Sequence, residues 1–541
     1  MNAPPVRFTK KFMATNVDLD ALIRRADFDE GDQAPRRSGG GSIKVQVEVR
    51  DLKKNEFFFS ALRKPDFQRE TDDWDVNRIV DLIKCFVSKD VIPAVIIWES
   101  NSGLLYIIDG AHRLSALAAW VNDDYGAGEI SKLFYEGIIP DEQVEIANHV
   151  KTAVNKVVGS YADHELAREH PDKVKPHVIT QATALSNAAI PIQYVIGTSA
   201  KAEDSFKKIN EQGASLNPTE RKILAGRKTP RCIAARAIIK AGKGYNYWAG
   251  FDAMVQITLQ NSAKEIHDLL FLPKLKNPIK TLDLPMAGKM YSNNKLNLVW
   301  DFISIVNPPT EKEEADKDGE LTLRFLTNCR KVAQRINSVH LSSLGLHPVV
   351  YLYSQSGRFK PASFYAIADL VMTLDNDGGF VRFCKVRENF ESLLIANDYI
   401  IQQIVRNDRG AFASYKNIAK FYLTCINELS SGKSINTVIE DIHKMDDFKF
   451  LTKPVDSPKS TVIGDFSSET KSATFIKAAL AGAPKCGLCH GYIHTNSITT
   501  GHIKDQIDGG TRSEENAQLE HPYCNSTLKK TVAAETKPLG A

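Results

Sequence analysis

The chain has 541 residues, 43% of them hydrophobic and 25% charged, with a formal net charge of +4. At roughly one domain per 150 residues this is too long for a single core, and so balanced a charge excludes a protein that holds nucleic acid by bulk electrostatics alone. No run reaches the ~18 apolar residues of a membrane span, and residues 1–37 mix both charges without an apolar stretch, so neither a membrane partner nor a secretory signal is expected, and a cytoplasmic protein is.

The elements follow in chain order. Residues 1–42 close in a Gly/Ser run at 38–42, the composition of a flexible tail. Residues 43–49 alternate apolar and polar, as a half-buried strand does. Residues 75–88 place Val76, Ile79, Val80, Ile83 and Val87 on one helical face, leaving Arg78 and Lys84 to solvent. Strands are expected at 91–98 and 104–108. Asp109-Gly110 then breaks the chain before a helix at 111–120. A strand, a tight turn and a helix start form a setting in which backbone N–H groups hold a phosphate.

These patterns predict an α/β domain over 43–284 and a helical domain over 285–451, with helices at 296–306, 321–336 and 416–429. Residues 346–354 are apolar and aromatic and precede Arg358 and Lys360. Such a stretch fits either core packing or a DNA-facing groove with stacking Tyr rings. Residues 452–473 have a linker's composition, and 474–541 form a last compact module. The expected class is an α+β multidomain protein.

The eight cysteines divide. Cys85, Cys232, Cys329, Cys384 and Cys425 are scattered in apolar or helical contexts and read as small buried hydrophobes. Cys486 and Cys489 form a CxxC knuckle, and His521 and Cys524 repeat its spacing. Two such pairs can close a tetrahedron around a structural Zn²⁺.

Between and beside those pairs stand Gly501-His502-Ile503, Gly509-Gly510, Asn516, Leu519 and Cys524-Asn525. In this order they resemble the HNH endonucleases in their four-ligand zinc form. The resemblance implies a zinc-stapled ββα-metal module that hydrolyses phosphodiesters with Mg²⁺ or Mn²⁺. It makes His502 the general base, Asn525 a ligand of the catalytic cation, and Asn516 the residue that holds the loop and so orients His502. The residue types suit this chemistry, since an imidazole titrates near neutrality and a divalent cation offsets charge on the phosphate. Family members often carry an acidic residue or His just before the base, as a cation ligand. Gly501 stands there, so Asp505, Asp508 and His494 are candidates to replace it, and a degenerate, inactive module is the alternative.

Three N-terminal segments carry a second resemblance. They are Asp66-Phe67-Gln68-Arg69-Glu70 with Trp74, the stretch Ile108 to Leu117, and Phe206 to Gly213 with Leu216 and Glu220. Together they are similar to the DGQQR-type domain of GmrSD-type, modification-dependent restriction systems, within the ParB/sulfiredoxin-like superfamily. Gly110 to Ala116 also fits the GxxRxxA phosphate motif of ParB domains. The resemblance implies that Gln68, Arg69, Asp109, Gly110, His112 and Arg113 bind a nucleoside triphosphate, which several relatives hydrolyse. Ala111-His112 stand where that family often has Gln-Gln. Read without the resemblance, Asp109 and Arg113 form a structural ion pair, and Asn210 and Gly213 a turn.

The expected function is therefore a metal-dependent DNA endonuclease gated by a nucleotide-binding domain. It would act on double-stranded foreign or modified DNA, and cutting both strands with one centre favours a homodimer. The alternative is a non-catalytic ParB-like DNA-binding or regulatory protein with a degenerate zinc module. Sulfiredoxin-like chemistry is disfavoured, because no cysteine lies near the phosphate turn.

Overall fold

In a computed structural model, the described residues are 16–28, 44–68, 74–135, 139, 141–212, 218–243, 246–289, 295–309, 313–452 and 465–531. The Gly/Ser run, Ile43, Arg69, Glu70, Gly213, Leu216 and residues 453–464 of the expected linker lie outside them. The chain divides into two compact units. One comprises Met1–Lys228, Lys243–Ala249 and Tyr291–Asn293; the other comprises Thr229–Gly242, Gly250–Met290 and Asn294–Ala541. The sequence reading ended the first domain at 284. The helix Pro230–Ile239 is instead buried along its whole length, among helices Ala253–Phe271, Lys295–Val306 and Glu320–Ile336. Eight of its ten residues are apolar and need cover, which other helices give, and the buried Arg231 is paired with Glu313.

The first unit holds β1 (Asn16–Val17), β2 (Arg25–Ala26), β3 (Gln46–Glu48), β4 (Leu62–Pro65), β5 (Trp74–Asp75), β6 (Val95–Glu99), β7 (Leu105–Asp109) and β8 (Ala189–Tyr194). Six of these form one mixed sheet in the order β2-β4-β7-β6-β8-β3, and β1 pairs with β5 in a separate antiparallel ribbon. Both faces of the sheet are covered, which explains the continuous apolar runs at its centre. Val95, Ile97 and Ile107 point into a core shared with Ile83, Leu117 and Trp120. The alternate residues Trp98, Tyr106 and Ile108 point into a second cluster with Phe28, Phe67 and Phe206.

Two strands are shorter than the alternation predicts. β3 stops at Glu48 because Glu48 and Asp51 cap each other's backbone and start a 3-10 turn at Val49. β6 begins only at Val95; Val91 is 97% exposed, and Pro93 offers no N–H to a ladder. The helix Val76–Val87 follows its pattern, capped by Asp75 accepting from the Arg78 N–H, with Arg78 and Lys84 exposed.

In the second unit, helices Lys295–Val306, Glu320–Ile336 and Ala411–Ser430 extend each predicted segment. Residues 346–354 are core. Tyr351 and Tyr353 are buried, their hydroxyls donating to Glu391 and to the Pro285 carbonyl, so neither ring is free to stack on a base.

The antiparallel hairpin of β9 (Thr499–His502) and β10 (Ala517–Glu520), with the cysteine knuckle, belongs to this helical unit. Arg387, on helix Phe380–Ala396, joins the two parts and is fully buried. Its Nε donates to Glu391 Oε1 at 2.7 Å, and its two terminal nitrogens donate to the carbonyls of Leu344 and Gly345. Glu391 also accepts from the Tyr492 N–H at 2.8 Å. Removing one partner of such a pair strands the other charge in a dry interior. Arg387→Ala should therefore cost about 3–5 kcal/mol in denaturant unfolding and lower zinc retention, whereas Arg382→Ala, which breaks only a half-exposed pair with Asp377, should cost at most about 1 kcal/mol; equal stabilities would refute this account of the join.

Candidate functional site

The first candidate site lies in the sheet-bearing unit, where β7 runs into helix Ala111–Val121. Gly110 makes that turn at φ +100°, and a Cβ there would meet Val95 Cγ1 at 2.6 Å, so glycine is required on two counts. Gln68, Trp74, Asp109, Gly110, His112 and Arg113 come together with Ile108, Ala111 and Phe206 around a cleft of about 210 Å³. The Trp74 and His112 rings stack with centroids 5.6 Å apart. Arg113 Nη2 pairs with Asp109 Oδ2 at 2.6 Å. The ion pair of the plain reading thus exists, within the cleft itself. Arg113 Nε and Gln68 Oε1 are buried polar atoms with no partner among the described residues. Arg69 lies outside those residues.

A charged group that sequence reading missed holds Gln68 in place. Asp20, Arg25 and Lys64 are all buried, and Asp20 pairs with both cations. Arg25 Nη1 donates to the carbonyls of Pro65 and Gln68 and so fixes the turn that carries Gln68. Asp66, in the same turn, pairs with Arg227 Nε at 3.1 Å.

The second candidate site is the cysteine module. Cys486, Cys489, His521 and Cys524 are buried, and their ligand atoms all lie within 4.8 Å of one another. His521 Nδ1 stands 3.3 Å from Cys489 Sγ and 3.9 Å from Cys524 Sγ, close to the ~3.8 Å edge of a tetrahedron with zinc–sulfur bonds of about 2.3 Å. His521 Nε2 lies 3.1 Å from the Tyr492 carbonyl, which only accepts. The ring proton therefore sits on Nε2, leaving the Nδ1 lone pair for a metal. Burial and the Arg387 guanidinium hold the His521 pKa down, which keeps that lone pair unprotonated. The donor set and geometry fit a structural zinc site. Cys384, read from sequence as a buried hydrophobe, also lies against Cys524.

The knuckle fastens the hairpin. The Gly487 N–H donates to the Leu519 carbonyl of β10 at 2.9 Å. Register and alternation then divide the hairpin's side chains. Thr499, Gly501, Gln518 and Glu520 share the more buried face, and Thr500, His502, Ala517 and Leu519 the more exposed one. His502 is half-buried, with the Gln506 side-chain nitrogen 3.3 Å from its Nε2. Asn516 clamps the loop after β9. It accepts from the Lys504 N–H at 2.7 Å and donates to the carbonyls of Lys504 and Thr511 at 3.0 and 2.7 Å. Gly510 passes so near Lys504 that a Cβ would sit 1.8 Å from its carbonyl oxygen. Asn525 is half-buried at the start of the closing helical segment. One turn on, Lys529 reaches back to the His502 carbonyl and the Asp505 carboxylate.

The three candidates to replace a ligand at position 501 are placed differently. His494 is buried against His347, and its Nδ1 lies 3.1 Å from Asn337 Nδ2; burial lowers its pKa to about 4. Asp505 is taken by Lys529, and Asp508 is exposed. Glu520, which sequence reading passed over, is buried at the end of β10 with its carboxyl lying over Gly501.

The metal assignment makes a direct prediction. The purified chain should carry one zinc per molecule, measured by elemental mass spectrometry. Cys489→Ser should lose it and destabilise the helical unit by more than the about 1 kcal/mol of an ordinary substitution. A zinc-free wild type of unchanged stability would refute the site.

No curated protein and no solved structure matches the chain. Residues 49–225 match the family described as GmrSD restriction endonuclease, N-terminal domain, so the unit that holds the Arg113 cleft carries a domain of restriction-enzyme type.

Proposed function

We propose that the chain is a metal-dependent DNA endonuclease of the restriction type, with its cutting centre on the β9–β10 hairpin and a nucleotide-binding cleft at Arg113. The observation that carries the reading is a histidine on the open face of a zinc-pinned hairpin, its loop locked by three hydrogen bonds from Asn516. His502 accepts a proton from a water whose oxygen attacks phosphorus. The phosphorus–oxygen bond opposite breaks, and the leaving oxygen takes a proton from a second water, giving an alcohol and a phosphate monoester. Asn525 would help hold a divalent cation, which would supply positive charge to offset that building on the phosphate oxygens. Asn516 keeps the loop, and with it His502, in one orientation.

In the cleft, the start of helix Ala111–Val121, with its positive dipole end, and the Arg113 guanidinium suit a phosphate chain. The unpartnered Gln68 Oε1 and Arg113 Nε supply further polar contacts. The Trp74 indole suits a base. Double-stranded DNA, including foreign or modified DNA, is the substrate class, and a second copy of the chain would let one centre per copy cut each strand. Gly501 favours one other reading, a zinc module without activity that serves a regulatory protein.

A plasmid digest with Mg²⁺ or Mn²⁺, with and without nucleoside triphosphates, decides between them. Wild type should cut and His502→Ala should fall by roughly a hundredfold or more; equal cutting removes His502, and no cutting by wild type under any condition favours the regulator. Arg113→Ala should lose binding of a fluorescent nucleotide while keeping its zinc, and retained affinity removes the cleft assignment.

A further inference from the structure

Position 501 offers no side chain, yet the space such a side chain would fill is occupied. A Cβ on Gly501 would sit 2.3 Å from Glu520 Cδ, 2.3 Å from Oε2 and 2.4 Å from Oε1. The Glu520 carboxyl thus stands where a carboxylate at 501 would begin. It arrives there from the next strand. Glu520 pairs with Thr499 and Gly501 with Gln518, so Glu520 is the diagonal neighbour of Gly501 on the same face. The closing helical segment returns to the same hairpin, since Lys529, one turn beyond Asn525, bonds the His502 carbonyl and Asp505.

The carboxyl is also incompletely satisfied. Glu520 is 0% exposed. Oε1 accepts from Gln518 Nε2 at 2.7 Å, whereas Oε2 is buried without a partner among the described residues. A buried carboxylate oxygen left without donor or cation is costly, and proteins rarely keep one without a use. Gln518 fixes the carboxyl by one oxygen and leaves the other presented.

We infer that Glu520 supplies, from the adjoining strand, the carboxylate ligand of the nuclease cation that Gly501 cannot. The ligand is a hard divalent cation, Mg²⁺ or Mn²⁺, which takes oxygen donors. Glycine at 501 and glutamate at 520 are then one feature, because any side chain at 501 would displace the carboxyl.

This inference rests on the nuclease reading, and the test separates the two. Mn²⁺ is titrated into the zinc-loaded full chain and followed by electron paramagnetic resonance, and plasmid cleavage is measured on the same preparations. The proteins are wild type, E520Q, G501D and the double variant G501D/E520T. E520Q should keep its zinc but weaken Mn²⁺ binding by roughly tenfold or more, the range in which even indirect partners of a metal ligand act, with cleavage falling alongside. G501D alone forces two carboxyls into one space and should bind poorly. The double variant clears that space and should recover both Mn²⁺ binding and cleavage. Unchanged Mn²⁺ binding in zinc-loaded E520Q overturns the inference while leaving the nuclease reading intact. Mn²⁺ binding that depends on Glu520 in a protein that never cuts supports the ligand and overturns the nuclease. Should E520Q lose its zinc, the double variant decides alone: zinc with Mn²⁺ supports the assignment, and zinc without Mn²⁺ overturns it.

Discussion

The second unit turns on a guanidinium kept out of water. Arg387 is fully buried, so every donor it carries needs an acceptor inside the protein. Glu391, Leu344 and Gly345 provide them, from one helix and one loop, and the guanidinium they hold lies 3.2 Å from His521 Nδ1 of the zinc module. Close backbone approach follows from this arrangement. A Cβ on Gly491 would meet Arg387 Nε at 2.2 Å, and one on Gly345 would meet His521 Cδ2 at 2.4 Å. The ion pair need not add net stability over an apolar core. It sets one register between helix and knuckle, because no other placement satisfies its donors.

From that anchor the constraint passes outward in short steps. His521 is oriented by the Tyr492 carbonyl, and the Tyr492 N–H is fixed by Glu391. The thiol ligands fix the knuckle, and the knuckle's Gly487 N–H fixes β10. β10 sets the register of β9, and Asn516 closes the loop that follows. His502 is thus positioned by a chain of contacts that begins in the helical core. A small hairpin has little core of its own, and these contacts supply what it lacks.

Much of this was legible, and the remainder has a common cause. Period and spacing act locally, so the helix Val76–Val87, β7, the turn at Gly110 and the CxxC and HxxC pairs could be read along the chain. Asn516 is singled out only through the resemblance to the HNH pattern. Partners far apart in sequence were not. Arg387 and His521 are 134 residues apart, and Lys64 and Asp20 are 44 apart, and Arg387, Lys64 and Asp20, each taken alone, look like solvated charges. Residues 346–354 favoured core packing over a DNA-facing groove from sequence, and their burial with the hydroxyl partners of Tyr351 and Tyr353 bears that out. Glu520 escaped notice because strand alternation reveals which face a residue takes, not which cross-strand neighbour lacks a side chain.

Charge bears on how such a centre would meet DNA. Residues 475–541 carry seven Lys/Arg against six Asp/Glu, so the hairpin has almost no net pull on a phosphate backbone. Among its cations Lys529 is already bound to Asp505 and Lys485 to Glu388. A cutting centre of that kind gains selectivity from weak affinity, since cleavage then depends on delivery by another part of the chain. Under the proposed function, the domain over residues 49–225, which matches the GmrSD restriction-endonuclease N-terminal family, would supply that delivery. On this view the near-neutral hairpin and the fused N-terminal domain answer the same physical requirement: a nuclease that holds DNA too weakly to cut unless something else brings it there.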